Sequence, residues 1–159
     1  METRVLNFSH DTIIPQIKAI IDEGKTIRFR VRGWSMRIFV EHERDEVLLA
    51  PIGDSPIVMG DVILAHTTAG SYVLHRVVNI NANLITLQGD GNVGAVEHCT
   101  HDKVIGRAIG FYRKGRQQPD LTSSRKWKVY SAIWLTLTPV RRYILAAYRR
   151  IWLKFFAPL

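Results

Sequence analysis

Short stretches of alternating apolar and polar residues, separated by turn-forming residues, most limit what this chain can fold into. In residues 26–32, Ile27, Phe29 and Val31 alternate with three arginines, a pattern typical of a half-buried strand. Further strands are predicted at residues 46–50, 61–66, 72–79, 84–88 and 103–113, with Gly, Asn and Asp turns between them. We therefore predict a mainly β domain over residues 27–113.

An amphipathic helix is predicted ahead of this domain. Residues 11–23 place five isoleucines at the spacing of one helical face, and Gly24 follows as a helix stop. We assign residues 1–26 to an N-terminal helical segment.

The charge of the chain is concentrated at its C-terminal end. Residues 1–112 carry eleven Lys and Arg against thirteen Asp and Glu, a net charge of −2. Residues 113–159 carry eleven basic residues against a single acid, Asp120, a net charge of +10. We predict a polar linker at residues 114–126 and a basic, amphipathic helical tail at residues 127–159.

Two partners suit such a tail. Its longest uncharged run, residues 129–140, has 12 residues, fewer than the roughly 20 that a membrane-spanning helix needs. A basic helix with aromatic residues on its apolar side favours a position on an anionic membrane surface. The alternative is a helix that packs on the domain or on a second copy of the chain. Because apolar residues interleave with the basic ones, lipid fits the pattern better than nucleic acid.

Composition gives little sign of secretion or of bound groups. The single cysteine, Cys99, excludes an internal disulfide, and residues 1–10 lack the apolar stretch of a secretory signal. The cluster at residues 97–102 offers Glu, His, Cys and Asp ligands, yet no spacing elsewhere completes a zinc site. We expect no metal and no cofactor, a buried Cys99, and a cytoplasmic protein, peripheral at the inner face of the membrane.

A serine and a histidine are the candidate reactive pair. Ser35 follows directly after the first predicted strand, in Gly33-Trp34-Ser35-Met36, and His75 lies within a later strand. A serine hydroxyl becomes an effective nucleophile when a neighbouring base takes its proton. If the two residues meet across the sheet, the pair predicts acyl-transfer chemistry. Arg76, on the opposite side of the strand from His75, is expected as a surface charge.

Four short motifs occur in an order that resembles a known family. They are Val31-x-Gly33-x-Ser35-Met36, Gly60-Asp61-Val62-Ile63, His75-Arg76-Val77-Val78 and Gly89-Asp90-Gly91-Asn92. Their order and spacing, over about residues 27–110, are similar to those of the signal peptidase I and LexA-like serine peptidases. The resemblance implies a β-rich peptidase fold with Ser35 as nucleophile and His75 at the general-base position.

The histidine distinguishes this chain within that resemblance. Bacterial signal peptidases and LexA-like proteins have a lysine at the base position, whereas the endoplasmic-reticulum and sporulation-type signal peptidases have a histidine. An imidazole, with an ordinary pKa of about 6.5, is already a neutral base near neutral pH, whereas a lysine must first be depressed by burial.

The remaining site residues follow from the same comparison. Asp90 is the first candidate for the acid that orients His75, and it also suits a tight turn; Glu97 is the second candidate. The family's hydroxyl-bearing residue two positions before the serine is replaced by Gly33, so we expect the oxyanion hole to use backbone N–H groups, chiefly that of Ser35 at the Gly33 turn. Ile38 stands where signal peptidases have proline.

Three functions are compatible with these residues. The first is an endopeptidase that cleaves a precursor or leader peptide through Ser35 and His75. The second is a self-cleaving LexA-like regulatory protein, although residues 1–26 are too short for a helix-turn-helix DNA-binding domain. The third is a catalytically inactive binding protein at the membrane surface, which the substitution of proline by Ile38 favours.

Overall fold

An antiparallel sheet that forms a half-barrel organises the structure, a computed structural model that describes residues 10–159. The strands are β1 (Ile27–Arg30), β2 (Glu46–Ala50), β3 (Val62–His66), β4 (Tyr72–Asn81), β5 (Leu84–Gln88), β6 (Glu97–Thr100), β7 (Val104–Tyr112) and β8 (Asp120–Leu121). Their order is β1-β2-β7-β3-β4-β5-β6, and β8 adds to β7. The predicted mainly β architecture is therefore confirmed at this level, whereas the peptidase fold stays a prediction.

Helix α1 (His10–Asp22) packs on one side of the sheet. Its buried residues Ile14, Ile17 and Ile21 contact Leu49, Leu64 and Ile105 from three different strands. Gly24 ends the helix as predicted, with a backbone φ of +77° that glycine adopts without steric cost. Residues 1–9 of the predicted N-terminal segment lie outside the described residues.

The two faces of the sheet bury separate cores. One face, with Val77, Ile85, Leu87 and Cys99, encloses an aliphatic cluster. The other face combines with the turn after β1 and with the C-terminal helices, where Phe111 stacks on Trp127 with ring centroids 4.9 Å apart. Alternating strand residues therefore face two different buried environments, which explains why both sides of the central strands are apolar.

The C-terminal segment is a helical layer on the sheet. Helix α2 (Arg125–Thr136) buries Trp127, Ser131 and Trp134, which share one helical face. Helix α3 (Arg141–Ala147) continues through a π-helical turn, Tyr148–Trp152, and a last turn, Leu153–Phe155. We name residues 125–155 the C-terminal layer.

The inner side of this layer packs on the sheet, which is one of the two alternatives left open for the tail. Arg141 is buried and donates hydrogen bonds to Gln88 Oε1 at 2.8 Å and to the Trp134 carbonyl at 3.1 Å. The predicted linker contains β8 and the first residues of α2, so it is not a free connection. The sequence alone does not reveal this packing, because partners such as Phe39 for Trp134 and Gln88 for Arg141 lie more than 50 positions away. Within residues 10–159, the helices fall short of the length and apolarity that crossing a bilayer requires.

Asp120 fixes the start of this layer. Its carboxylate pairs with Arg113 at 2.9 Å and with Arg116 and Lys126 at 3.4 and 3.5 Å. Partial burial acts to raise the pKa of Asp120, but the hydrogen bond from Arg113 and the three positive charges outweigh it and hold the pKa below its usual value.

We expect Asp120→Asn to destabilise the protein in a pH-dependent way. Because the folded-state pKa is lowered, the carboxylate contributes stability above its unfolded pKa of about 3.9, and this contribution is lost as the pH falls through the folded value. Urea unfolding at pH 7 should show a loss of about 1 kcal/mol, the upper range for a partly exposed ion pair. The loss should be smaller at pH 3, below the unfolded pKa, than at pH 7. An equal loss at both pH values would contradict this, and Asp54→Asn, in an exposed loop, is the control.

Candidate active site

Ser35 lies in a compact turn that follows β1. Val31 still pairs with the backbone of Asp45 at 3.0 Å, and Gly33, with φ of +103°, then redirects the chain. Met36 is buried below the turn in the core, and it also lines the neighbouring cavity. The serine is therefore held at the edge of the sheet, half-buried, on a rigid base.

The donors near Ser35 refine the predicted oxyanion hole. The Gly33 N–H donates to Nδ1 of His42 at 2.8 Å, so it serves the turn and is not free to bind an oxyanion. Within residues 10–159, the Ser35 N–H makes no hydrogen bond to another residue. The Ser35 N–H therefore stays a candidate oxyanion donor, and His42 supports the turn, a role that the sequence did not indicate.

The Gly89–Asn92 motif contacts Ser35. The Gly91 N–H donates to the Ser35 carbonyl at 2.7 Å, and Asn92 N–H closes the turn onto the Gly89 carbonyl at 3.0 Å. A side chain at Gly89 would place its Cβ 2.5 Å from the Ser35 carbonyl oxygen and 3.0 Å from the Ser35 Cβ. Only glycine allows this close approach, which explains its presence beside the candidate nucleophile.

Strand β4 places His75 on the wall of the cavity that Ser35 also lines. The ladder between β4 and β5 pairs Val77 with Leu87 and Arg76 with Gln88. Continuing that register by one residue sets His75 opposite Gly89, the glycine that contacts Ser35. His75 is buried, and it lines the same cavity as Ser35.

Glu97, rather than Asp90, contacts the histidine. Oε2 of Glu97, the first residue of β6, lies 2.9 Å from Nδ1 of His75. An ionised carboxylate only accepts hydrogen bonds, so it holds the ring proton on Nδ1 and leaves the lone pair of the neutral ring on Nε2. The order of preference drawn from the sequence is thus reversed: the second candidate is the neighbour of His75.

Asp90 instead forms an ion pair with Arg76. Its two carboxylate oxygens accept from Arg76 Nε at 2.8 Å and from Nη2 at 2.7 Å, a bidentate pair that is almost completely buried. This also corrects the prediction that Arg76 is a surface charge. The side chain does face away from His75, but that side of β4 is covered by α2.

Arg76 joins three parts of the molecule. Its Nη1 donates to the Ser131 hydroxyl of α2 at 2.6 Å and to the Gly60 carbonyl at 3.0 Å. The guanidinium lies 5.3 Å from the ring centroids of both Phe39 and Trp127. These contacts compensate the burial of a charge and fix the Asp90 turn, and thereby the Ser35 backbone, relative to the C-terminal layer.

A cavity of about 260 Å³ opens beside the pair. Its wall is formed by α1, β1 and β4, and it is mostly apolar, with Ile13, Ile17, Phe29 and Leu74 among its residues. An apolar recess next to a polar pair is the usual form of a small-molecule or peptide site.

The other candidate residues lie outside this arrangement. Cys99 is fully buried in the aliphatic cluster, and burial raises the pKa of its thiol, which disfavours the reactive thiolate. In the part of the chain that the structure describes, no three His, Cys, Asp or Glu side chains are grouped to hold a metal ion.

No protein-family model matches the chain, and a search of curated proteins finds no significant match.

We expect Asp90→Asn to be strongly destabilising, because it leaves Arg76 buried without a counter-charge. Urea denaturation should show a loss of about 3–5 kcal/mol in the free energy of unfolding. The double variant Arg76→Met/Asp90→Leu should lose less than the sum of its single changes, since it removes both charges. Asp22→Asn, on the exposed end of α1, is the control. A loss below about 0.5 kcal/mol for Asp90→Asn would contradict a structural role for the pair.

Proposed function

We propose that this chain is a serine endopeptidase that uses Ser35 as nucleophile, His75 as general base and Glu97 as the acid that orients the base. The observation that carries the proposal is the His75–Glu97 contact beside the cavity that Ser35 also lines. A hydroxyl, an imidazole and a carboxylate in this order are the components that serine acyl transfer requires.

The proposed reaction proceeds in two halves. Ser35 Oγ attacks the scissile carbonyl while His75 Nε2 takes its proton, and the Ser35 N–H donates to the oxyanion that forms. His75 then gives the proton to the leaving amine, which departs and leaves an acyl-enzyme. Water, deprotonated by the same nitrogen, attacks the ester, and His75 then returns the proton to Ser35 Oγ as the acid product is released.

Glu97 supports this cycle through the charge that His75 acquires. The imidazolium formed in each half-reaction keeps its hydrogen bond to the carboxylate, whose distance of 2.9 Å is suited to a charge-assisted bond. The Glu97 side chain is only partly exposed, which limits screening of that interaction by water. Asp90 contributes through structure alone in this proposal.

The substrate we propose is a peptide segment of a precursor or leader. An extended segment with an apolar side chain fits a cavity walled by isoleucine, phenylalanine and leucine side chains. The self-cleaving and catalytically inactive alternatives have no comparable observation in their favour.

Labelling with a fluorophosphonate probe tests the nucleophile. The parent protein should be labelled at Ser35, Ser35→Ala should not be labelled, and Ser55→Ala, in an exposed loop, should react like the parent. His75→Ala should reduce the labelling rate strongly, because the base is removed. Parent protein that is folded yet unreactive would favour the inactive binding protein.

Peptide-library cleavage tests the role of Glu97. We expect Glu97→Gln to lower kcat by about 10²- to 10⁴-fold, because the amide no longer favours the required tautomer or stabilises the imidazolium. Thermal unfolding should remain close to that of the parent, in contrast with Asp90→Asn. Glu23→Gln, at the exposed end of α1, is the matched control. Unchanged kcat in Glu97→Gln would remove Glu97 from the mechanism.

A further inference from the structure

The side of the C-terminal layer that faces away from the sheet is strongly apolar. Of the eighteen large apolar side chains that are exposed in the described chain, ten lie in residues 129–159. We define the outer face by the six of these that carry the argument: Val129, Ile133, Tyr143, Ile151, Phe155 and Phe156. Large exposed apolar patches on soluble proteins mark sites that contact another protein or a membrane.

The outward positions of Val129, Ile133 and Tyr143 follow from helix geometry. Helix α2 buries Trp127, Ser131 and Trp134 against the sheet, so Val129 and Ile133, one turn apart, project to the opposite side. Helix α3 buries Arg141 and Leu145. Tyr143, two residues from Arg141, is therefore turned outwards, and more than half of its surface is accessible.

Basic residues without acidic partners lie among these apolar side chains. Lys128, Arg142, Arg150 and Lys154 are exposed, and none of them pairs with a carboxylate of residues 10–159. Asp120, the single acid after residue 112, is already shared by Arg113, Arg116 and Lys126. The outer face thus has an excess of positive charge that nothing in the described chain neutralises.

We propose that the outer face docks on an anionic lipid bilayer, with the aromatic and aliphatic side chains in the headgroup region and the four cations on lipid phosphates. This arrangement satisfies both features at once, because a bilayer interface accepts apolar side chains and attracts positive charge. The two sequence-based alternatives for the tail then apply to opposite sides of the same helices: the inner side packs on the sheet and the outer side meets lipid.

Other occupants fit less well. In a symmetric dimer through this face, the same unpaired cations of two copies would approach each other, which disfavours association. A nucleic-acid site would account for the cations but would leave the exposed Val129, Ile151 and Phe155 unexplained.

Vesicle co-sedimentation of the full chain tests the proposal. The probes are phosphatidylcholine vesicles with and without 30% phosphatidylglycerol, at about 0.05 and 0.5 M salt, since exposed charges are screened at the higher value. We expect binding to the anionic vesicles only, weakened at high salt. Ser35→Ala protein should bind equally, so the result does not depend on the proposed peptidase activity.

Two variants and their matched controls separate the contribution of positive charge to vesicle binding from that of apolar burial. Arg150→Glu/Lys154→Glu should lower the partition coefficient at least tenfold, because each basic residue near the surface contributes attraction. Phe155→Ser should lower it about fivefold through lost apolar burial. Lys103→Glu and Leu84→Ser, both exposed outside the C-terminal layer, should bind like the parent.

Three outcomes would overturn the proposal. They are equal binding by the parent and the Arg150→Glu/Lys154→Glu variant, salt-sensitive binding to duplex DNA without vesicle binding, and a concentration-dependent dimer that Phe155→Ser abolishes without vesicle binding. Circular dichroism of each variant ensures that a loss of binding reflects the surface and not the fold.

Discussion

The buried ion pair between Arg76 and Asp90 is the interaction on which the rest of the site depends. A guanidinium without solvent contact is stable only when each of its donors has an acceptor, and here a carboxylate, a hydroxyl and a carbonyl supply them. The carboxylate belongs to the Gly89–Asn92 turn, and the hydroxyl belongs to α2. The pair therefore fixes the turn that contacts Ser35 to the helical layer behind it.

The two faces of strand β4 carry two different interactions. His75 and Arg76 are neighbours in sequence, but their side chains project to opposite sides of the sheet. One side carries the histidine and its Glu97 partner, and the other carries the ion pair. The positive charge of Arg76 is neutralised by Asp90. Each carboxylate therefore has one basic partner: Arg76 for Asp90 and His75 for Glu97. This division explains why the motif contains two adjacent basic residues and why their acids come from different elements.

Much of the sheet was predictable because its strands are encoded locally. Strands β2 and β5 have the predicted bounds, and the apolar stretches of β3, β4 and β7 gave bounds within two residues. Strand β6 lacks that pattern, since in Glu97–Thr100 only Cys99 is apolar, and it forms because β5 offers it a pairing edge. The two-residue β8 depends on pairing with β7 in the same way.

The candidate site was predictable in its motifs but not in its pairings. The four motifs pointed to Ser35, His75 and Asp90 together, yet which carboxylate reaches the imidazole depends on the register of β6 against β5, where Glu97 pairs with Leu87. Similarly, the opposite projection of Arg76 was predicted correctly from strand geometry. Its burial was not, because the covering residue Ser131 lies 55 positions further along the chain.

Gly91 links the helical layer to the candidate nucleophile. Its N–H donates to the Ser35 carbonyl at 2.7 Å, and its own carbonyl accepts from Arg149 of the C-terminal layer at 2.9 Å. Arg149 lies next to Arg150, which belongs to the cations of the outer face. Because a single glycine contacts both, the Ser35 turn and the π-helical turn that follows α3 are held in one fixed relation. A lipid surface that binds the outer face would therefore also fix the direction in which the Ser35 cavity opens, and with it the approach of a peptide substrate.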